Sequence, residues 1–373
     1  MSLRWLSALL LISALGHTLA GQEASPTKAG ADDPQLKSRP AQRAPTAPKA
    51  RRMQLDAVVT DAWGKPVTGL QPWDFKLLDN DHSSKILYFR AFDNQGVKAQ
   101  PPVEVILLLD ALNLNVQQQG FVRNELTRYL QQNKGQLAHP TTLMVLGDNG
   151  VAVQPQPSLD GNALAALLKT VNPHITAFAP TMGIQGAIER FNRSVQQMRL
   201  IAENETHKPG RKLLIWISAG WPLLEREQNF LPAESNNKKY FEDIVELSGW
   251  LREARMVVYS AAPIDPSMGA AARAPLLYQD FVKPVSDARQ AQSGNLGLRV
   301  LALHTGGQIL GPSNDVAGQI NQCIADADSF YQLTFEPAPA EHADEYHSLK
   351  LSVVQPGLTV RTDTGYYDQP NPQ

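Results

Sequence analysis

The chain has one cysteine, Cys323, in 373 residues, which rules out an intramolecular disulfide. The fold must then rest on core burial rather than cross-links. Neither sign of charge is in excess. There are 34 Lys and Arg against 36 Asp and Glu, a formal net charge of −2, so no global basic field exists to recruit nucleic acid. Beyond the first twenty residues no stretch reaches the ~18 uninterrupted apolar residues that a membrane-spanning helix needs. The eight histidines are dispersed, with no His-x-x-x-His pairing to suggest zinc. No Gly-x-Gly-x-x-Gly or Walker pattern occurs, which argues against nucleotide binding, and no Gly-x-Ser-x-Gly nucleophile elbow occurs. Ser218 has no acid or base next to it in sequence, and Cys323, in the helix-like QINQCIADADSF, has no nearby histidine. Both read as structural residues.

The hydrophobic fraction, 43%, suffices for an ordinary packed core. At the N-terminus, Arg4 precedes an apolar run over residues 5–15, and Thr18-Leu19-Ala20 ends in a small residue. This predicts a signal peptide over 1–20 and an extracytoplasmic mature chain, periplasmic or secreted. Residues 21–53 are rich in Pro, Ala, Lys and Arg and poor in large apolar side chains, the composition of a disordered linker.

Three ordered segments follow. Alternation in LDAVVTD, WDFKLLDN and HSSKILYFRAF predicts a small β unit over 54–99. Over 100–329, apolar strands (VEVILLLD, TTLMVLG, RKLLIWISAG, RMVVYSAA) alternate with helical stretches. That order predicts an α/β domain, doubly wound on a mostly parallel sheet covered on both faces. Asp160, opening DGNALAALLKTV, is suited to capping a helix. The segment 330–373 returns to alternating strands (FYQLTFEP, HSLKLSVVQPG, LTVRTDTGYY). These form a second small β unit with a tail, or extra strands laid beside the first.

Ligands of open α/β sheets bind at the carboxyl ends of the strands. The first central strand ends at Asp110, in VEVILLLDALNLN, and a second loop carries Thr181 in APTMGIQGAIERF. A third loop follows the strand in LLIWISAGWP. In this order the three segments resemble the loops of a von Willebrand factor type A domain. In that family an Asp-x-Ser-x-Ser loop, a Thr and an Asp hold one divalent cation, the metal-ion-dependent adhesion site. Over residues 54–368 the chain also resembles a bacterial group of exported von Willebrand factor A-related proteins, best known from Acidobacteria. The resemblance implies a Rossmann-like fold and, at Asp110 and Thr181, what remains of a metal site. Leu112 and Leu114 stand where the family has serines, and Ala219 where it has the third-loop aspartate. Alkyl groups give Mg²⁺ none of its roughly six oxygen ligands, so no cofactor is expected. Asn113 and Asn115 are one residue out of register and would supply oxygens only from a rebuilt loop. Without a metal, Asp110 has a plainer role, accepting backbone N–H bonds or pairing with a cation, and Thr181 that of a helix cap.

Trp221, just past a strand and followed by Pro222, is a candidate anchor for a partner, since Trp gives large contact area at low entropic cost. The competing reading packs it under the loop that follows. The expected function is therefore an exported, non-enzymatic protein-binding module, in adhesion or envelope assembly. Its binding residues would be Asp110, Asn113, Thr181 and Trp221, its docking surface loops 110–116, 178–183 and 219–238, and its partner a protein at the cell envelope. A structural component working through its flanking β units is the alternative. A hydrolase would need an acid, base and nucleophile that these loops do not assemble.

Overall fold

The computed structural model describes residues 4–5, 52–93, 99, 101–171, 183–221, 234–264, 282, 285 and 288–370. Apart from residues 4, 5, 52 and 53, the leader and linker segments lie outside them.

In chain order the strands are β1 (Arg4–Trp5), β2 (Met53–Thr60), β3 (Phe75–Asp79), β4 (His82–Ser84) and β5 (Ile86–Phe92). Then come β6 (Glu104–Asp110), helix α1 (Val116–Leu130), β7 (Gln136–Gly147), β8 (Gly150–Val153), β9 (Ser158–Asp160) and α2 (Gly161–Thr170). Helix α3 (Gly183–Thr206), β10 (Lys212–Ile217), α4 (Glu234–Glu253) and β11 (Met256–Pro263) follow. The chain continues through α5 (Leu298–His304), β12 (Ile309–Ser313) and α6 (Val316–Asp328). It ends with β13 (Phe330–Phe335), β14 (Glu345–Val353), β15 (Thr359–Arg361) and β16 (Gly365–Asp368).

The central sheet runs β1-β8-β7-β6-β10-β11-β12, with β9 beside β7. Strands β7, β6, β10, β11 and β12 are parallel, and β8 joins β7 antiparallel with β1 antiparallel beyond it. The expected doubly wound sheet is present, and the reason for its continuous apolar strands is visible residue by residue. Val105, Leu107 and Leu109 enter one core with α1, α2 and α6, while Ile106 and Leu108 enter the other with α3, α4 and α5. Leu213, Ile215 and Ile217 against Leu214 and Trp216 repeat the pattern in β10. Helix starts are fixed by side-chain caps: Asn115, Asp160 and Asp315 accept the amides of Gln118, Ala163 and Gly318. Cys323 is buried in the core under α6. Among the described residues no helix is long and apolar enough to cross a membrane.

The two terminal β segments share both of their sheets. One is β15-β2-β13-β5 and the other β16-β14-β3-β4, all antiparallel. Ala57, Val59, Tyr331 and Leu333 of the first pack on Phe75 of the second, so the sheets lie face to face. Of the two arrangements expected for 330–373, a separate unit or strands laid beside the first, the second is found: one sandwich is built from both chain ends. Its outer face sits on the α/β domain: Val58, Phe92 and Phe330 belong to the same core as α1 and α6. Polar clamps hold the seam. Arg255 pairs with Asp56 through contacts of 2.7 and 2.8 Å, and Arg361 of β15 grips Asp326 of α6 through two bonds of 2.8 Å.

At the amino ends of the strands, Lys212 is buried, and its Nζ donates to the carbonyls of Glu205, Lys208 and Ala254 at 2.9, 2.6 and 3.0 Å. One ammonium thereby satisfies the chain just at and past the ends of α3 and α4, where helices leave carbonyls unpaired. Burial lowers its pKa, opposed by the carboxylates of Glu205 and Glu104. Lys212→Met keeps the stem but strips these bonds, and is expected to cost about 2–3 kcal/mol. Urea unfolding with an unchanged m value checks this, and a loss below about 0.5 kcal/mol would show the carbonyls are indifferent to the charge.

Candidate functional site

The sheet order changes direction of winding between β6 and β10, which places a cleft at their carboxyl ends. Asp110 ends β6, and Ser218 follows β10. The two meet: Ser218 Oγ donates to Asp110 Oδ2 at 2.7 Å. Trp216 Nε1 donates to the same oxygen at 2.9 Å, and so does Asn113 Nδ2, also at 2.9 Å. The Asn113 backbone N–H takes the other oxygen, Oδ1, at 3.1 Å. Asp110 is fully buried, and burial raises its pKa against the pull of these four donors. Of the two plain roles expected for it, accepting a backbone N–H is the one found. In place of a cation it has neutral side-chain donors.

The rest of the loop folds inward. Leu112 joins the core with α3 and α4, Leu114 joins the core with α1, and Ala219 packs on the latter. Asn113 Nδ2 also donates to Ser194 Oγ of α3 at 3.0 Å, tying the loop to that helix. Asn115 is not turned to the cleft, since its side chain caps α1 while Gln118 Oε1 accepts the Asn115 amide at 3.1 Å. Thr181 lies outside the described residues, as do residues 178–182 and 222–233 of the expected docking loops.

Trp221 is a correction. Its exposure is 0%, not that of a surface anchor. Its ring meets Trp216 and Phe191 edge to face at 5.5 and 5.3 Å, and Phe191 meets Tyr240 of α4 in the same way at 5.0 Å. Edge-to-face packing of this kind makes a core cluster, so a Trp221 substitution reports on folding rather than on binding. Sequence reasoning missed two apolar residues that are exposed at this end of the sheet. Val116, at the first position of α1, is 80% exposed, and Ile184, near the start of α3, is 45% exposed. No local signal marks them: Val316 holds the same place after the capping Asp315 as Val116 does after Asn115, and it is fully buried.

Ser218 does have an acid beside it in space, Asp110, although none adjoins it in sequence. The pair has no described imidazole partner, and Ser218 Oγ accepts from the Gly220 amide at 3.0 Å. Its proton and one of its two lone pairs are thus engaged within the turn.

No protein-family model matches the chain, and no curated protein matches it. Similar solved structures include the SpRpn10 VWA domain, 14% identical over 47% of this chain and 96% of that domain, with a TM-score of 0.22. They also include the pilus adhesin SpaC from Lactobacillus rhamnosus GG, 10% identical over 80% of this chain, with a TM-score of 0.32. This match spans 48% of the adhesin. The mostly parallel sheet, covered by helices on both faces, decides the architecture. The fold is a doubly wound α/β one. In this domain the cleft at Asp110 is closed by hydrogen bonds and by leucine side chains turned into both cores.

Proposed function

We propose that the protein is an exported, non-enzymatic binding module that docks an envelope protein without a divalent cation, in adhesion or envelope assembly. The reading groups it with the exported bacterial von Willebrand factor A-related proteins that its motifs resemble. The observation that carries it is the state of Asp110, whose oxygens already accept four internal donors. The donor set does not fit Mg²⁺, which requires about six oxygens in near-octahedral array. Leu112 and Leu114 would have to leave the cores to make room, and neither carries an oxygen on its side chain. The same locking removes Asp110 from general acid–base work, because a catalytic carboxyl needs an exchangeable face toward substrate.

Docking then falls to the rim. Val116 and Ile184 present apolar surface at the ends of α1 and α3 nearest the cleft, where neither side chain contributes to a core. The test is the double variant Val116→Glu with Ile184→Glu. Its thermal midpoint should match that of the parent, while recovery of bound protein from an envelope extract should fall at least tenfold. Equal recovery by parent and variant would remove this rim from the proposal.

A further inference from the structure

A second site lies away from the cleft, on the sandwich, where an exposed tryptophan borders a groove beside β3 and β4. The groove has a volume of about 390 Å³. That falls within the range of roughly 300–1,000 Å³ typical of small-molecule sites. Pro72 and Trp73 of the turn before β3 line it, with Lys76 of β3 and Ser83 and Ser84 of β4. Phe75 and Leu77 contribute an apolar part, and both are buried in the sandwich cores. Trp73 is 74% exposed, although Phe75, two residues on, packs against the Phe89 and Tyr331 rings at 5.5 and 5.1 Å. The turn that carries the indole is braced. Asp74 Oδ2 accepts the Gln71 amide at 2.7 Å, the Asp74 amide donates to the Gln71 carbonyl at 3.0 Å, and the Asp74 carbonyl accepts the Val354 amide at 2.8 Å. Pro72 fixes the backbone between them. A flat apolar face and one N–H donor are thus presented from a fixed backbone, which spares a ligand part of the cost of ordering them.

The polar part of the lining narrows the ligand. Ser83 and Ser84 bring two hydroxyls, each a donor and an acceptor, and Trp73 brings its N–H. Lys76 is exposed, and among the described residues no carboxylate pairs with it. No acid lines the groove, so its one full charge is positive. A pyranose ring matches this combination. It sets a face of C–H groups against an aromatic ring, while its rim of hydroxyls exchanges hydrogen bonds. A carboxylate on the sugar would meet the Lys76 ammonium as an opposite charge. A cationic ligand would meet Lys76 as a like charge, and a wholly apolar one would strip water from the hydroxyls without replacing it.

We propose that this groove binds an acidic saccharide, with Trp73 stacked on a sugar ring, Lys76 paired with its carboxylate, and Ser83 and Ser84 at its hydroxyls. The site is independent of the reading of the cleft. The probe is trigalacturonate added to the full chain. Its controls are maltotriose, a neutral saccharide with as many rings; citrate, a carboxylate without rings; and an uncharged proline-rich peptide, another ligand class that docks in aromatic grooves. Binding is read by calorimetry and by ligand-observed NMR. Trigalacturonate should bind, maltotriose about threefold or more weakly, the scale of one exposed ion pair, and citrate and the peptide not at all. Trp73→Ala should weaken trigalacturonate by about tenfold or more, and Lys76→Gln should bring the two saccharides to within about twofold of each other. Both side chains are exposed, so the thermal midpoints of these variants should stay within about one degree of the parent. Five results would overturn the proposal: no binding of trigalacturonate; equal binding of maltotriose; equal binding of citrate, which marks a plain charge site; binding of the peptide in place of the sugar; or an unchanged Kd in Trp73→Ala. The comparison of the four probes on the parent protein stands even where a variant folds poorly.

Discussion

Replacing Asp326 with alanine is expected to lower the unfolding free energy by about 3–5 kcal/mol, the scale for removing one partner of a buried ion pair. Asp326 is 3% exposed and gathers the seam. Besides the two bonds from Arg361, it accepts Tyr259 Oη at 2.8 Å and Gln308 Nε2 at 3.1 Å, and its backbone carbonyl accepts Arg211 at 2.5 Å. Truncation strands the Arg361 guanidinium and the Tyr259 hydroxyl away from water. Because α6 runs directly into β13, with Ser329 alone between them, the same loss loosens the sandwich from the α/β domain. Asp326→Leu combined with Arg361→Met removes both charges, and should recover most of the deficit, since a packed apolar pair avoids the desolvation cost. Guanidinium unfolding of the two single variants and the double variant checks this. Additive single losses, with no recovery in the double variant, would mean that the two side chains do not act as a pair.

The second large effect is at Asp110. Asp110→Ala leaves the Trp216 indole N–H, the Ser218 hydroxyl and the Asn113 amide buried without their acceptor, and is expected to cost about 3–5 kcal/mol, since each orphaned donor costs about 1–3 kcal/mol and the losses overlap. Asp110→Asn can keep a carbonyl oxygen for the three donors that meet Oδ2, at the cost of setting its NH2 against the Asn113 backbone N–H, so it should cost less than alanine, about 2 kcal/mol. Thermal unfolding of the two variants separates an internal acceptor from a spare carboxylate. A mild effect of alanine, equal to that of asparagine, would show that the network is dispensable.

Much of the fold was legible because its signals are local. The run VEVILLLD has no polar face since successive residues enter opposite cores, and such runs separated by helices imply a covered parallel sheet. Asp160 was legible as a cap from its place before an apolar helical stretch, and it does cap α2. The sandwich was less so. Alternation marks β2 and β13 as strands but not as partners, and Leu55 faces Leu333 across a gap of more than 270 residues that no local pattern encodes. Lys212 reads as a solvated lysine at a strand start until α3 and α4 bring their carbonyl ends to it. At the cleft, the position of Asp110 followed from the strand it terminates, whereas its partners did not. Trp216 and Ser218 lie more than 100 residues away and reach it only because β10 adds beside β6 in register, Ile217 opposite Leu109. For Trp221 the sequence left anchor and packed residue both open, since a Trp-Pro step at a strand end carries no sign of its cover, and the Phe191 ring that meets it comes from α3.

The measurement that bears most directly on the central claim is the thermal midpoint of the native protein in millimolar Mg²⁺ and then in EDTA, repeated with Mn²⁺ and with Asp110→Asn. A ligand held only by the folded state raises the midpoint with its occupancy. With Asp110 saturated by internal donors, the native midpoints should agree within about one degree in all three solutions. A rise of several degrees in Mg²⁺ or Mn²⁺ that disappears in Asp110→Asn would contradict the account, because it would mean that the carboxylate leaves its four donors to hold a cation.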